Sequence, residues 1–262
     1  MDFFQKERYA VEDLLCIMEM LRLSCPWDRE QTHKSIRKNF IEETYEAVEA
    51  IDNEDAVLLK EELGDVLLQV AFHAQIAKES ENFDFGDVCD AVCKKLITRH
   101  PHIFGAAKAE NAEQALQSWD DIKKKEKQRQ TTIQALKDIP ACLPALMRSQ
   151  KVQQKAAKAG FDYPDTSMAM MDLRSEVEEV QCALDSGAAA ALEEELGDLI
   201  FSAVNISRLT GVDAEEALTK SCNKFIARFE KVESLALEKG IDMQKASINL
   251  LDILWREAKK KM

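Results

Sequence analysis

The sequence predicts an all-α protein made of two tandem, repeated helical-bundle domains. Apolar residues recur at three- and four-residue spacing, as in "VEDLLCIMEML" at residues 11–21, which is typical of amphipathic helices. The 262 residues include only 8 glycines and 5 prolines, a composition that disfavours sandwiches and barrels. A densely acidic hexamer occurs twice, which indicates the repeat. We expect about ten helices, half of them on each side of a central break.

An internal duplication relates the two halves of the chain. "KEELGD" at residues 60–65 returns as "EEELGD" at residues 193–198, an offset of 133 positions, and a later block matches at an offset of 129. Because the difference is close to one helical turn of about 3.6 residues, we expect one hairpin to be longer by a turn. The matched residues are Glu43, Glu46, Glu62, Leu63, Gly64 and Asp65 with Glu176, Glu179, Glu195, Leu196, Gly197 and Asp198, then Asp84, Lys95 and Arg99 with Asp213, Lys224 and Arg228.

The break between the halves lies where a run of charged residues is followed by Pro140 and Pro144. Proline ends a helix or opens its first turn, so this region is a poor candidate for continuous helix. We predict an N-terminal domain at residues 1–125, a linker at residues 126–143 and a C-terminal domain at residues 144–262.

Helix boundaries are marked at corresponding places in both halves. Asp84 and Asp213 suit N-caps, because an aspartate side chain accepts hydrogen bonds from the backbone N–H groups of the first turn. Asp213 also forms a D-x-x-E pattern with Glu216, and Gly211 suits the end of the preceding helix. Each half is therefore predicted as a helix, two acidic helices, a turn and a basic helix.

Charge and cysteine content limit the partners and the compartment. The net charge of −13 disfavours a nucleic-acid polymer or an anionic membrane as partner, because both require positive surface. The 7 cysteines lack C-x-x-C spacing, which predicts reduced, packed thiols rather than a zinc ribbon or a disulfide framework. No apolar stretch has the length of a signal-peptide core or a membrane span. We therefore expect a cytoplasmic protein that binds cations, or anions that already carry cations.

Carboxylates stand in pairs, three residues apart, on the predicted acidic helices. Residues at this spacing share a helix face, and like charges crowded there are destabilising unless something neutralises them. Two such faces on antiparallel neighbours would bring four carboxylates together, a ligand set that suits Mg²⁺. Gly64 and Gly197 lie within these clusters, where a missing side chain would let a helix or a hydrated metal approach. The pairs are Glu43 with Glu46 and Glu62 with Asp65, then Glu176 with Glu179 and Glu195 with Asp198.

Both the acidic and the basic patterns have a simpler interpretation. Acidic runs on helices are usually solvated surface, but two pairs in each half, repeated in fixed register beside the same glycine, favour a metal site. "KLITR" and "KFIAR" place Lys95 with Arg99 and Lys224 with Arg228 four residues apart. These residues either form surface ion pairs or clamp phosphate oxygens, with arginine offering a planar fork and lysine a point charge.

Two other kinds of site are excluded by residue spacing. The two nearest glycines, Gly187 and Gly197, are ten positions apart, so the chain contains neither a P-loop nor a dinucleotide-binding fingerprint. A carboxylate-bridged di-iron bundle requires Glu-x-x-His on two helices, and this chain offers only Glu30 with His33. Phosphates must therefore be bound by side chains and metal.

Longer stretches carry a family resemblance over nearly the whole chain, including the duplication. They are "CPWDREQTHKSIRKNFIEETYEAVEAI", "EELGDVLLQVAFHA", "RHPHIFG", "SWDDIKKKEK", "LPALMRSQKVQQKAAKAGFDYPD" and "EEELGDLIFSAVNISR". In these stretches the sequence resembles the MazG family of nucleoside triphosphate pyrophosphohydrolases. The resemblance implies tandem helical bundles of the all-α NTP pyrophosphohydrolase type, assembled as a homodimer. It also implies Mg²⁺-dependent conversion of nucleoside triphosphate and water into nucleoside monophosphate and pyrophosphate, with broad tolerance for the base.

The resemblance assigns roles to residues in both halves. In the second half, the implied metal-binding and catalytic carboxylates are Glu176, Glu179, Glu195 and Asp198. The implied substrate contacts are Lys224, Arg228, the aromatic Trp255 and, from "SWDDIK", Lys123. The first half presents a matching metal set, Glu43, Glu46, Glu62 and Asp65, with phosphate-facing Lys95 and Arg99. Bound Mg²⁺ would bridge phosphate oxygens and activate a water, while a glutamate accepts the proton.

Two departures from the family pattern and one difference between the halves bear on which half is catalytic. Ser175 replaces the first acid of the E-E-x-x-E motif in the second half, and Ala191 stands where relatives can place a lysine. Trp255, in contrast, has no obvious counterpart in the first half, since Trp27 suits a packing anchor after Cys-Pro. We therefore favour the second half as the catalytic one.

Two further functions remain open at this stage. The first is a house-cleaning hydrolase selective for non-canonical nucleotides, which would keep the fold and change the substrate. The second is a non-catalytic dimeric helical regulator whose acidic faces only maintain solubility. Rates on a panel of triphosphates test the first, and Mg²⁺ binding without nucleotide tests the second.

Overall fold

The computed structural model of the chain describes residues 6–107, 111, 114, 115, 118, 119, 122 and 131–260. These residues form helices and connecting turns without a strand, so the predicted all-α class is confirmed. The chain divides into two compact units, Met1–Lys127 and Gln128–Met262. None of the helices in the described part combines the length and apolar content needed to cross a bilayer.

The first unit is built around a hairpin of two long helices, α2 and α3, which pack against each other. The turn between them places Asp55 at the N-cap of α3, where its side chain accepts hydrogen bonds from the N–H groups of Val57 and Leu58, both at 3.0 Å. Helix α1 packs on α3, and α4, the next helix in the chain, also contacts α3. The helices are α1 Val11–Ser24, α2 Arg37–Asp52, α3 Ala56–Glu79, α4 Phe85–Arg99 and the single turn α5 Pro101–Phe104.

The second unit repeats this plan around the hairpin of α8 and α9. Gly187 ends α8 with a left-handed φ of 68°, a conformation that glycine adopts without steric cost. Helix α7 packs against both α9 and α10, and α10 packs along α11. The helices are α6 Thr132–Lys137, α7 Ala145–Ala157, α8 Thr166–Ser186, α9 Ala189–Leu209, α10 Ala214–Glu238 and α11 Ile248–Lys260.

The helix that carries the acidic hexamer is longer in the first repeat, as the change of offset predicts. Helix α3 contains 24 residues and α9 contains 21. Both predicted N-caps are confirmed, because Asp84 accepts from the N–H of Asp87 and Asp213 from that of Glu216, each at 3.0 Å. Gly211 follows the end of α9 with φ 74°. The predicted linker at residues 126–143 contains α6, and its boundaries stay a prediction.

Each unit has its own small core. In the first unit the core joins α1, α3 and the segment before α2, and its buried members are Met18, Ile36, Phe72 and Ile76. In the second unit it joins α10 and α11 near the C-terminus, and its buried members are Val232, Leu235, Ala236, Leu254 and Ala258. Trp255 packs against the edge of the second core, so this core supports a residue of the predicted site.

Leu254→Ala is expected to destabilise the second unit by about 2–5 kcal/mol, because it leaves a cavity in this core. Leu254 is 1% exposed, whereas its neighbour Ile253 is 58% exposed. Ile253→Ala therefore serves as a matched control and should change the free energy of unfolding by less than about 0.5 kcal/mol. Urea unfolding followed by circular dichroism measures both. Equal losses in the two variants would contradict the assigned core.

Candidate active site

The α2–α3 hairpin brings three carboxylates of the first repeat together. Side-chain oxygens of Glu43, Glu62 and Asp65 all lie within 4.8 Å of one another, and the three side chains are half-buried. Glu43 lies on α2, while Glu62 and Asp65 lie three residues apart on one face of α3. Glu46 is exposed and lies outside this group, but its negative charge acts on Glu43.

The α8–α9 hairpin forms the corresponding cluster of the second repeat. Here the oxygens within 4.8 Å of one another belong to Glu176 and Glu179 of α8 and to Glu195 of α9. Asp198 is exposed and lies outside the group of three, although its negative charge acts on both Glu176 and Glu195. Each hairpin therefore places three of its four predicted carboxylates at one point, with the fourth beside them.

The crowding of negative charge changes proton affinity in the same way in both repeats. Partial desolvation, and then the charges of Glu179 and other nearby acids, raise the pKa of Glu176 and of Glu195 above the ordinary value. Desolvation and neighbouring carboxylates raise the pKa of Glu43 and of Glu62 likewise. A bound cation would relieve this repulsion, which is what a hard divalent ion does among oxygen ligands.

Hydrogen bonds around the second cluster leave an oxygen available to a ligand. Ser175 donates from Oγ to Glu179 Oε1 at 3.1 Å, so the serine that replaces an acid of the motif orients a ligand candidate instead. Glu176 Oε2 is buried and has no hydrogen-bond partner among the described residues. A buried carboxylate oxygen without a partner is costly, and a cation supplies the missing interaction. The donor set thus fits Mg²⁺.

A further group of polar residues is formed by Asp172 of α8, Ser202 of α9 and Tyr163 of the loop before α8, and the charge of Asp172 acts on Glu176. Ser202 donates from Oγ to Asp172 Oδ2 at 2.7 Å, and Tyr163 also bonds to Asp172. Desolvation, this bond and the charge of Asp172 raise the pKa of the Tyr163 hydroxyl. The hydroxyl therefore stays protonated and remains a hydrogen-bond donor beside the carboxylates. The sequence carried no signal for Tyr163, which lies outside the acidic motif.

The glycines of the two hexamers do not make room for a neighbouring helix. A Cβ atom built at Gly64 or at Gly197 would meet no other described atom within 4 Å. Of the two explanations offered for these glycines, close helix packing within the unit is therefore wrong. Both positions are open, next to the carboxylate clusters.

The basic and aromatic residues of the second repeat meet on α10 and α11. The guanidinium carbon of Arg228 lies 5.7 Å from the centre of the Trp255 ring, a cation–π distance. Phe225 packs against the same ring at 5.1 Å between centroids. Arg228 Nε is buried without a hydrogen-bond partner in the described chain, and Lys224 is exposed one turn earlier on α10. Both donors are thus available to an anion.

The first repeat contains a counterpart of Trp255 that neither of the two offsets between the halves aligns. The guanidinium carbon of Arg99 lies 5.2 Å from the centre of the Trp119 ring. The available signal was W-x-x-x-K, shared by Trp119 with Lys123 and by Trp255 with Lys259. Lys123 itself lies outside the described residues, and Lys95 is exposed on α4.

A family model described as the MazG nucleotide pyrophosphohydrolase domain matches the chain twice, at residues 31–104 and 165–233. The chain belongs to the MazG family. Each match spans one carboxylate-bearing hairpin and the basic residues of the helix that follows it. The duplicated core is therefore a tandem pair of MazG domains, whereas Trp119 and Trp255 both lie outside the matched ranges.

Two bacterial nucleoside triphosphate pyrophosphohydrolases are similar to this chain over nearly its full length. The nucleoside triphosphate pyrophosphohydrolase of Escherichia coli strain K12 is 42% identical over 258 residues, which cover 95% of this chain and 97% of that protein. The nucleoside triphosphate pyrophosphohydrolase/pyrophosphatase MazG of Thermotoga maritima is 43% identical over 250 residues, 95% of each chain. The crystal structure of a mazG-related protein from Thermotoga maritima shares 30% identity and covers 44% of this chain and 99% of its own, with a TM-score of 0.39. The protein is an enzyme of a hydrolase family that acts on phosphoric anhydrides.

Glu176→Gln is expected to stabilise the metal-free protein at neutral pH by about 0.5 kcal/mol, the size of a like-charge effect on a helix surface. The pKa of Glu176 is raised in the fold, so its ionisation there is unfavourable. The stability it contributes is present below the unfolded-state pKa and is lost as pH rises through the raised pKa. The advantage of the variant should therefore shrink as pH falls. Urea unfolding in EDTA at several pH values measures it.

The matched control is Glu178→Gln, an exposed change on the same helix. It should not reproduce the pH-dependent gain, and added Mg²⁺ should stabilise it as much as the natural protein. A Glu176→Gln protein that is less stable than the natural one at neutral pH without metal would show that the cluster is not under repulsion.

Proposed function

We propose that this protein hydrolyses nucleoside triphosphates to nucleoside monophosphate and pyrophosphate in a Mg²⁺-dependent reaction, at the second MazG repeat and with broad tolerance for the base. The observation that carries the proposal is the meeting of Glu176, Glu179 and Glu195 within 4.8 Å on one hairpin. The named activities of the relatives from Escherichia coli and Thermotoga maritima support the reaction type.

The four carboxylates of the second hairpin would hold the cation. When bound, Mg²⁺ neutralises phosphate oxygens and lowers the pKa of a water that it coordinates. Glu176 Oε2, which has no hydrogen-bond partner among the described residues, would bind the cation. Ser175 fixes the orientation of Glu179. A glutamate of the set that is bound only loosely to the cation would accept the proton of the attacking water. Glu195 is the glutamate that α9 contributes to the cluster, so it is the candidate for this base.

Arg228, Lys224 and Trp255 would bind the rest of the substrate. Arg228 has a buried Nε without a partner, and its planar guanidinium can hold two phosphate oxygens at once. With Lys224 it offsets the charge that grows on the departing pyrophosphate. Trp255 offers an aromatic face for the base, and stacking of this kind tolerates any base. Lys123 stays a candidate on family resemblance alone.

We further propose that the enzyme is a homodimer. Large apolar side chains are exposed on the helices that carry the carboxylates, although burial of such groups is favourable. A second copy would cover them with a surface of the same composition. In the second unit they include Val177, Leu196, Ile200 and Phe201, and in the first unit Ile41, Tyr45, Val48 and Leu63. Sedimentation equilibrium tests this, and a monomer at micromolar concentration would contradict it.

The compartment and the partners follow from charge and cysteine chemistry. All 7 cysteines are free thiols, which suits the reducing cytoplasm. The net charge of −13 favours metal-bound nucleotides over nucleic-acid polymers or membranes as partners. Mg²⁺-bound nucleoside triphosphates are cytoplasmic, and their bound cation suits a negatively charged protein.

Product analysis with ATP and MgCl₂ tests the proposal directly. We expect AMP and pyrophosphate to appear in equal amounts and to vanish in EDTA, while ATP, GTP, CTP and UTP differ by less than about tenfold in kcat/KM, the range expected when bases are bound by stacking. ADP and inorganic phosphate as products, or full activity in EDTA, would contradict it. A preference for one modified nucleotide of more than about a hundredfold would contradict the broad specificity alone.

A further inference from the structure

The clustered carboxylates of the second repeat come from two helices, so their arrangement depends on how α8 and α9 are held together. Glu176 and Glu179 lie on α8, and Glu195 lies on α9. Neither helix alone supplies all three oxygens. The separation and register of the two helices therefore set the distances among the oxygens. A contact that fixes the helices close to the cluster also fixes the cluster.

Such a contact lies one helical turn from the cluster. Asp172 precedes Glu176 by four residues on α8, and Ser202 follows Asp198 by four residues on α9. Each therefore lies on the face of its helix that carries the carboxylates. Ser202 is 7% exposed, and its Oγ donates to Asp172 Oδ2 at 2.7 Å. This charge-assisted hydrogen bond joins the two helices directly.

The loop before α8 brings a second donor to the same carboxylate. Tyr163 forms a hydrogen bond with Asp172. The preceding residue of the loop, Asp162, is anchored to α9, because the guanidinium of Arg208 donates to both of its carboxylate oxygens. Arg208 Nε also donates to Asn205 Oδ1 at 2.9 Å, which fixes the arginine on its own helix. The loop is thus fastened to α9 through one residue and to α8 through the next.

The first repeat carries different groups at this level of its hairpin. At the offset of 133 positions, Asp172 and Ser202 match Asn39 and Gln69. Gln69 is 6% exposed, and its Oε1 has no hydrogen-bond partner among the described residues. Both repeats therefore place polar side chains here, but the link through one carboxylate and two hydroxyls belongs to the second repeat.

The two hydroxyls also separate the role of Asp172 from that of Glu176. The negative charge of Asp172 acts on Glu176 and adds to the crowding of like charge. Hydrogen bonds from Ser202 and Tyr163 offset the charge of Asp172 before any ligand arrives. Glu176 Oε2, in contrast, has no partner among the described residues. Asp172 thus holds the helices, and Glu176 is left to a cation.

We propose that Tyr163 and Ser202 are positioning residues that act through Asp172. Their hydroxyls hold α8 against α9 and so keep the carboxylates of the second repeat at the separation that binds one divalent cation. This inference rests on the proposed function, because it concerns the cation site that the function requires. Loss of either hydroxyl weakens cation binding and leaves turnover at saturating cation nearly unchanged, because every carboxylate of the cluster remains.

Titration of the metal-free full chain with Mn²⁺ tests this without turnover. Mn²⁺ takes the same oxygen ligands as Mg²⁺, and electron paramagnetic resonance counts the free ion. All proteins carry Glu62→Gln, which removes one of the clustered carboxylates of the first hairpin. In this parent we expect Ser202→Ala and Tyr163→Phe each to raise the Kd for Mn²⁺ about tenfold, the smaller effect of losing groups that orient metal ligands. Each change deletes one oxygen atom, and circular dichroism confirms that the variants are folded.

Ser207→Ala is the matched control on the same helix. The hydroxyl of Ser207 donates to the carbonyl oxygen of Ala203 within α9, so its loss should leave the Kd for Mn²⁺ unchanged. Asp172→Asn keeps an oxygen that accepts from the hydroxyls, and it should weaken Mn²⁺ binding less than Ser202→Ala and Tyr163→Phe combined. A larger loss in Asp172→Asn would make Asp172 a ligand in its own right and overturn the positioning role.

The dependence of the rate on MgCl₂ distinguishes positioning from a role in folding. In Ser202→Ala and in Tyr163→Phe the apparent KM for Mg²⁺ should rise about tenfold, while kcat at saturating Mg²⁺ stays close to that of the parent. A role in folding alone would lower the midpoint of urea unfolding and leave the KM for Mg²⁺ unchanged. That result would overturn the inference.

The outcomes separate this inference from the function on which it rests. Unchanged Mn²⁺ binding in both hydroxyl variants, with AMP still formed from ATP, would overturn the inference and leave the proposed function intact. An equal loss in Ser207→Ala would also overturn it, because the effect would not depend on Asp172. A parent that neither binds Mn²⁺ nor forms AMP would overturn the proposed function as well.

Discussion

Glu195→Gln is expected to slow pyrophosphate release by roughly 10²–10⁴-fold, the effect of losing a general base or a comparable anionic ligand. Glu195 is the carboxylate that α9 contributes to the cluster of the second repeat. Glutamine keeps its shape and one oxygen, but it neither neutralises Mg²⁺ nor accepts a proton. Asp198→Asn should reduce the rate for the same reason, although Asp198 lies at the margin of the cluster. A coupled pyrophosphate assay under saturating ATP measures both.

The control for this change is Glu194→Gln, at the preceding, exposed position of α9. Glu194 contributes no oxygen to the cluster and acts on Glu195 only through its exposed charge, so the rate of this variant should stay within about threefold of natural. Circular dichroism should show the same helix content in all three proteins. A Glu195→Gln enzyme with full activity would remove the second hairpin from the mechanism.

Arg228→Ala is expected to lower kcat/KM by about 10²–10³-fold, the cost of removing one charged donor to a developing anion. Its guanidinium is fixed over Trp255, and its Nε is buried and unpaired before a ligand arrives. Arg228→Lys should restore less than a tenth of the loss, because a lysine provides a point charge instead of two parallel hydrogen bonds. Initial rates over a range of ATP concentrations separate the effects on kcat and on KM.

Arg256→Ala is the matched control on the neighbouring helix. Arg256 is exposed and pairs with Asp252 of the same helix at 2.7 Å, so its removal should leave kcat/KM within about twofold. If Arg256→Ala and Arg228→Ala reduced kcat/KM equally, the effect would come from the overall loss of positive charge rather than from a contact with phosphate.

The carboxylate hairpins could be predicted from the sequence because helical geometry leaves little freedom. Glu62 and Asp65 must share a face of any helix that contains both, and a turn as short as residues 53–55 returns α3 along α2 toward Glu43. Because the acidic residues of the second repeat follow at a constant offset, the same clustering of carboxylates could be predicted there. The predicted N-caps, Asp84 and Asp213, depend only on local chemistry and were found for the same reason.

What escaped prediction depends on contacts between segments that share no periodic pattern. Trp119 follows Arg99 at a shorter distance than Trp255 follows Arg228, so neither the offset of 133 nor that of 129 aligns the two tryptophans. Tyr163 reaches Asp172 from a loop, where spacing carries no directional information. The predicted close approach of a neighbouring helix at Gly64 was wrong. A missing side chain allows a helix to come close, but it provides no force that brings the helix there.

The two indoles come from stretches that lie beyond the duplicated MazG ranges, while the charged hairpins lie within them. Under the proposed function, the contact with the base and the groups that hold the cation are therefore encoded in separate parts of the chain. We expect substitutions around Trp255 to change the preference among bases without a matching change in the carboxylate hairpin.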